Sequence, residues 1–264
     1  KDFKDILPAS EVRGIDISKY AIKNSHPKVK RNLKVENATN SFTGIYEAKL
    51  DSINSGVGIG YLQDIIGLGS SKRLYFNYAY HLRFKNSVLS FGGAAVLNRV
   101  AFNYGWITPS GSSLILDPPI TSQHETKLNL NFGVTYKRKQ LEIGISSTQV
   151  NEPYYNDVNF QNSRHYFGMV AYEIALSKKI DLKPRFYFKS DGTASVWELN
   201  SIFTLKKKYW IGLTYRNKDA FAIQAGVDIK GKFRVGYSYG FSTNSVLAAY
   251  GYESHEIVLA ILIK

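Results

Sequence analysis

Leu74–Phe84, LYFNYAYHLRF, is the stretch that decides the fold. Leu74, Phe76, Tyr78, Tyr80, Leu82 and Phe84 share one face of an extended chain. Tyr75, Asn77, Ala79, His81 and Arg83 share the other, because successive Cβ atoms of a strand point to opposite sides. A helix would need apolar residues three and four apart, whereas the period here is two. Tyr and Phe favour pleated, half-buried surfaces, and the chain carries 19 Tyr and 15 Phe.

The alternation repeats along the chain. In Lys127–Tyr136 the apolar face is Leu128, Leu130, Phe132, Val134 and Tyr136; in Lys232–Ser242 it is Phe233, Val235, Tyr237, Tyr239 and Phe241; the last segment aligns Ile257, Leu259, Ile261 and Ile263. Phe42–Leu50, Val57–Tyr61, Val88–Leu97, Leu141–Ile145, Tyr166–Leu176, Leu182–Phe188, Trp197–Leu205, Tyr209–Tyr215 and Phe221–Ile229 read the same way. With a weaker first strand near Val29–Val35, this predicts about fourteen strands of roughly 9–12 residues, the length a tilted membrane strand needs. In that first strand Arg31 falls in phase with Val29, Leu33 and Val35, which puts a cation on the apolar face. Soluble sandwich strands run nearer 5–6 residues, and a sandwich or lipocalin-like barrel would have to cover every one of these apolar faces. The expected fold is all-β: a transmembrane antiparallel up-and-down β-barrel over residues 29–264. Residues 1–28, which show no strand pattern, are expected to form a periplasmic segment or a plug in the lumen.

Composition agrees with a barrel. A mean hydropathy of −0.22 averages two opposed faces, and no run of about 18 apolar residues offers a membrane helix. The absence of Cys removes disulfides, thiolate metal sites and a lipidated N-terminal cysteine. Short connections alternate with longer ones. Asn86, Lys137–Gln140, Ser177–Asp181, Lys206–Lys208 and Lys230–Lys232 are short and nearly all basic, whereas Asn98–Glu125, Gln149–Ser163 and Thr243–Gly251 are longer or more polar. Bacterial outer-membrane barrels keep short turns in the periplasm, and an even strand number would place both termini there. Phe84, Tyr136, Tyr209 and Phe233 beside the basic turns suggest one interfacial girdle, and Tyr166, Tyr215, Phe221 and Phe241 the other. Much of the formal +13 charge falls in those turns, facing anionic headgroups; no helix-turn-helix or RNA-binding signature accompanies it, so nucleic acid is not expected as a partner.

With apolar faces toward lipid, the lumen receives Arg83, Lys183, Arg185, Arg216 and Arg234 together with Glu47, Glu142, Glu173, Glu198, Asp228 and Glu256. Such mixed-sign charges either brace the wall by pairing or tile a solvated conduit; the balance of signs favours bracing. Catalytic patterns are scarce. Ser254, His255 and Glu256 are strand neighbours on alternating faces and cannot form a triad, and a rim hydrolase built on His81 or His165 lacks further support. Gly56, Gly58 and Gly60 lack the helix a dinucleotide site requires. No cofactor, metal or catalytic residue is expected.

Several segments resemble the PorP/SprF family of type IX secretion outer-membrane proteins of Bacteroidota. They are GVGIGYLQDIIG (Gly56–Gly67), YAYHLRF (Tyr78–Phe84), LSFGGAA (Leu89–Ala95), KYWIGLTYRNKDAFAIQAGVDI (Lys208–Ile229), FRVGYSYGFSTNSV (Phe233–Val246) and GYESHEIVL (Gly251–Leu259). The chain departs from the family in lacking an opening Asn-Pro segment, and from many outer-membrane barrels in ending Leu262, Ile263, Lys264 rather than on an aromatic residue. The resemblance implies a non-enzymatic barrel that helps a secreted protein, such as an adhesin, reach or stay on the cell surface through its C-terminal domain. It also implies a periplasmic partner linked to peptidoglycan. The matching residues Tyr215, Arg216, Asp219, Gly236, Tyr237, Ser254, His255 and Glu256 are expected to define the fold. Cargo contact is expected in the outer loops, at Trp106, Tyr154 and Tyr155. The alternative is an outer-membrane channel or hydrophobic-solute transporter with a plugged lumen.

Overall fold

The computed structural model describes residues 40–66, 69–102, 123–217, 219–243 and 253–261. The strands are β1 (Asn40–Leu50), β2 (Ser55–Ile66), β3 (Gly69–Arg83), β4 (Ser87–Phe102), β5 (Gln123–Arg138), β6 (Leu141–Thr148), β7 (Tyr154–Tyr155), β8 (Phe160–Gln161), β9 (His165–Tyr172), β10 (Ile174–Ser177), β11 (Ile180–Ser190), β12 (Ser195–Leu205), β13 (Tyr209–Arg216), β14 (Ala220–Ile229), β15 (Phe233–Ser242) and β16 (Glu253–Ile261). All but β7 and β8 join one antiparallel sheet of 14 strand segments; along its path neighbours pair in sequence order, β6 with β9 and β9 with β11, the order of an up-and-down barrel wall, and β10 pairs with β11 beside β9. β9 and β10 hold a single register on β11 (Ala171 opposite Arg185, Ile174 opposite Leu182), so β10 continues β9 past Glu173. β1 and β16 are the two edges of the described wall. Among the described residues no helix is long and apolar enough to cross a membrane, which says nothing of strands.

The faces fall as the period-two pattern requires, inverted relative to a water-soluble protein. Phe76, Phe132, Ile211 and Leu259 are 48%, 57%, 56% and 58% exposed, while Tyr75, Ala79 and Asn129 on the opposite face are 7%, 7% and 2% exposed. Asn98, Asn200 and Thr214 are buried on the inner face as well. An exposed apolar belt of this extent far exceeds the few hundred Å² a soluble monomer tolerates, and it is stable only against lipid.

The connections at one end are short: Phe84–Asn86, 139–140, 178–179, 206–208 and 230–232, with Asp51–Ile53 forming a single 3-10 turn at the same end. Lys139, Lys206, Lys207 and Lys230 there adopt φ of 51–53°, the left-handed region that tight hairpins demand and that Asn or Gly enters more cheaply. At the other end the connections are uneven. Residues 149–164 fold into the β7/β8 hairpin, whereas Asp191–Ala194 close a tight turn on the Asp191 carboxylate, which accepts the Thr193 and Ala194 N–H groups at 2.9 and 2.7 Å.

Two expectations need adjustment. The strand near Val29–Val35 and the 1–28 segment lie outside the described residues, as does the loop 244–252. β1 starts at the long-loop end and β16 finishes beside the short turn 230–232, as the pairing of Phe233 with Ile261 fixes. A periplasmic start to the chain therefore depends on a further crossing before Asn40. The second adjustment is strand length. β3, β4 and β5 have 15, 16 and 16 residues. At ~3.3 Å per residue they reach about 50 Å, well past a hydrocarbon core of ~30 Å. The stretch taken as an outer loop from Asn98 is strand to Phe102, and strand resumes at Gln123.

Candidate functional site

The inner face carries paired charges along the wall and, at the long-loop end, a covered mouth. Along the wall, antiparallel register sets opposite charges directly across from each other. Asp228 faces Arg234 and accepts two hydrogen bonds from it, Nε to Oδ1 at 2.5 Å and Nη2 to Oδ2 at 2.7 Å. At the opposite end, beside the Asp191–Ala194 turn, Glu198 faces Arg216, whose guanidinium reaches Glu198 at 3.0 Å and Asp219 at 3.1 Å. Lys183 and Glu142 meet at 2.9 Å although β9 runs between their strands. The bridge can cross because the β9 residue opposite Glu142 is Ala171, only 1% exposed and too small to obstruct it.

Arg185 lies opposite Ala171 and Asn200, Glu173 sits at the β9/β10 break with its N–H donating to the Gln140 carbonyl at 3.1 Å, and Glu256 faces Ser238. Glu47 faces Gly58 on the inner wall. Arg83 is exposed at the end of β3 and makes no ion pair among the described residues. At least six of the eleven charges assigned to the lumen are thus joined in pairs. Replacing Lys183 with methionine leaves Glu142 without its cation, and a loss of roughly 2 kcal/mol is expected in urea unfolding from detergent. The double change with Glu142→Gln should recover most of that loss; equal stability of the single variant and the parent would show the bridge to be inert.

Beside the Asp228–Arg234 pair lies a packing device formed by three strands. Trp210 on β13 faces Gly226 on β14, which faces Gly236 on β15. A Cβ added to Gly226 would stand 2.2 Å from Trp210 Cζ2, and one on Gly236 would stand 2.7 Å from Cη2 and Cζ2. The indole lies in the notch left by the two missing side chains, with the Arg234 guanidinium 5.9 Å from its ring. Gly236 in the family motif therefore marks a seat for Trp210.

The other motif residues hold strands together. Tyr215 packs edge-on against Trp197 at 5.6 Å on the outer face, and the Asp219 carbonyl accepts the Thr243 N–H at 2.8 Å and the Ser242 hydroxyl at 3.0 Å. Tyr237 and His255 share a hydrogen bond of 2.6 Å between β15 and β16. Ser254 stands opposite Gly240, where a Cβ would come within 2.5 Å of its Oγ. His81 and His165 are occupied structurally: His81 Nδ1 bonds Ser90 Oγ at 2.8 Å, and His165 Nδ1 lies 3.2 Å from Gln149 Oε1. Among the described residues no cluster of His, Asp and Glu suits a metal ion.

The outer mouth carries a network that strand-by-strand reading misses. The Asp64 carboxylate accepts Ser41 Oγ at 2.6 Å and Arg73 Nη2 at 2.7 Å. Arg73 Nε donates to Ser71 Oγ at 3.2 Å, and Ser71 Oγ donates to Asn98 Oδ1 at 2.9 Å. Asn98 Nδ2 in turn donates to Tyr155 Oη at 2.9 Å. Tyr155 is fully buried, wedged with Val158 against Val100 and Phe102. The ring expected to be a cargo anchor is therefore turned inward with the β7/β8 hairpin, because a ring with one polar tip finds apolar walls and three asparagine partners inside the mouth. Tyr154, its neighbour, points the opposite way and is 46% exposed. Trp106 lies outside the described residues. Below the network, a row of small residues, Gly56–Ala79–Gly92–Gly133–Ser146, runs in register across β2 to β6 and floors an open recess.

Comparisons place this architecture among known proteins. No curated protein matches the chain. Two mutant forms of the Rh. blastica porin align with 84% of this chain and 89% of theirs, at 7% identity and a TM-score of 0.35. Residues 30–261, which include every strand of the described wall, match the family described as type IX secretion system membrane protein PorP/SprF. The chain belongs to the PorP/SprF family of type IX secretion system membrane proteins.

Proposed function

We propose that this barrel is a non-enzymatic outer-membrane adaptor that helps a type IX-secreted protein, such as an adhesin, reach or stay on the cell surface through its C-terminal domain. Family membership supports the secretion role, and the observation that carries the adaptor over the channel is the inward β7/β8 hairpin. Tyr155 ties it to Asn98 on β4 and Asn129 on β5, inside the mouth, while paired charges brace the wall below. A solute route would be narrowed at the mouth. Cargo then meets the same end, through exposed Tyr154 and, outside the described residues, Trp106. The short-turn end, with its exposed lysines, suits a periplasmic, peptidoglycan-linked partner, and a further crossing before Asn40 would bring both termini to that side.

Deleting the gene is expected to abolish surface display of a specific secreted protein while solute uptake stays unchanged. Surface proteomics before and after complementation checks this. Normal display in the deletion strain would overturn the adaptor, and a steady single-channel conductance from the purified barrel would favour the transporter.

A further inference from the structure

On the outer face of β3, β4 and β5, three lateral rows climb past the top of the apolar band. Leu74, Leu97 and Leu128 stand in register as the last apolar row. The next row outward is Lys72, Arg99 and Thr126, and the one beyond is Ser70, Ala101 and His124. Two residues of strand rise about 7 Å, so the Lys72–Arg99 row sits at headgroup level just above the hydrocarbon. Lys72, Arg99, Thr126 and His124 are all exposed.

Lys72 and Arg99 are directly opposed, and like charges so placed destabilise a sheet. The adjoining inner face is handled differently. Arg73, next in sequence to Lys72, points inward and meets Asp64 at 2.7 Å, and Lys127 meets Glu125 at 2.6 Å. Every inward cation of this region thus has its carboxylate, whereas neither Lys72 nor Arg99 forms an ion pair among the described residues. The residues beside them on β2, Gln63 and Ile65, bring no acid. A repelling pair kept at the membrane boundary is balanced when an anion with several acceptor oxygens lies between the ammonium and the guanidinium.

We propose that Lys72 and Arg99, flanked by Thr126 and His124, bind a phosphate group of an outer-leaflet glycolipid. The site takes a phosphomonoester because Arg offers a planar fork, Lys a point charge and Thr126 a hydroxyl, all on one side, while the leucine row beneath receives the acyl chains. The inference rests on the outer-membrane orientation, with short turns toward the periplasm, and not on the cargo role.

Native mass spectrometry of the folded, detergent-solubilised protein with added bisphosphorylated lipid A tests it. The parent is expected to retain one lipid, and the double variant Lys72→Gln, Arg99→Gln to retain it about tenfold less, whereas the charge-preserving Lys72→Arg, Arg99→Lys keeps it. Lipid A stripped of its phosphates should bind as weakly to the parent as to the double variant, and inorganic phosphate at equal concentration should not displace the lipid. Equal retention by the parent and the double variant, or equal retention of the phosphate-free lipid, overturns the site; displacement by inorganic phosphate overturns the lipid as its ligand. Lys72→Gln alone separates binding from folding. Without lipid it should unfold at a higher temperature than the parent, since repulsion is relieved, yet bind lipid A less; a lower unfolding temperature with unchanged binding would also refute the proposal. Failure here leaves the adaptor role untouched, because the one experiment reads lipid retention and the other reads cargo display.

Discussion

Gly226→Ala is expected to leave most of the protein unable to reach the heat-modifiable, compact form that folded barrels show on gels. The added methyl would stand 2.2 Å from Trp210 Cζ2 and 2.5 Å from the Val235 carbonyl oxygen, so both a side chain and the backbone of the next strand oppose it. Overpacking of this kind costs about 1–3 kcal/mol where neighbours can shift, and more where they cannot. The indole has little freedom, since its other ring atoms lie over Gly236 and beside Arg234. Gly236→Ala gives the cleaner measurement. Its new Cβ meets Trp210 at 2.7 Å but the nearest backbone oxygen, of Ala225, only at 3.6 Å. The clash is therefore with the indole alone, and Gly236→Ala combined with Trp210→Ala should be more stable than the sum of the two single losses. Gly226→Ala should be rescued less by the same partner change. If Gly236→Ala folds as well as the parent, the notch does not hold Trp210 in solution.

Tyr155→Ala should have the second largest effect, and a different one. The ring is fully buried, and truncating an aromatic residue costs roughly 3–5 kcal/mol, here concentrated on a hairpin of two short strands. The wall has its own ladder of pairs and should stay folded, while residues 149–164 come away from the mouth. Expected are protease cleavage within 149–164 and a conductance in planar bilayers that the parent lacks. Tyr155→Phe isolates the hydroxyl, which joins Asn98, Asn129 and Asn162 at 2.9, 3.5 and 3.3 Å. It should loosen the hairpin by about 1 kcal/mol without freeing it. Unchanged conductance and protease resistance in Tyr155→Ala would mean that the hairpin does not close the mouth.

The wall was legible because a barrel strand writes its environment into alternate residues. Phe76 against Asn77, or Phe132 against Asn131, records lipid on one side and lumen on the other. That record stops where lipid stops. Alternation fades after Tyr61 on β2 and before Leu74 on β3, although the strands run to Ile66 and from Gly69. Asp64 and Arg73 lie in those silent ends, so the pair at the mouth escaped a search confined to alternating segments. Pairs facing each other across one short turn, such as Asp228 and Arg234, needed only hairpin symmetry to be placed together. Lys183 with Glu142, and Trp210 with Gly226 and Gly236, depend on register across three strands, which no local pattern reports. Tyr154 and Tyr155 form a doublet in a connection without periodicity, so nothing local told which would turn inward.

The lysines in left-handed backbone at the short turns bear on how the chain assembles. Asn-Gly in such a position bends the chain early and sets the register of the two strands it joins; Lys206–Lys207 has no such bias, and each residue resists the conformation by about 1 kcal/mol. Hairpin β12/β13 therefore acquires its register from the strands, closing last at the turn rather than first. A hairpin whose turn closes after its strands is free to pair in the lipid that covers its apolar face, so the weak turns lower the pull toward pairings formed in water.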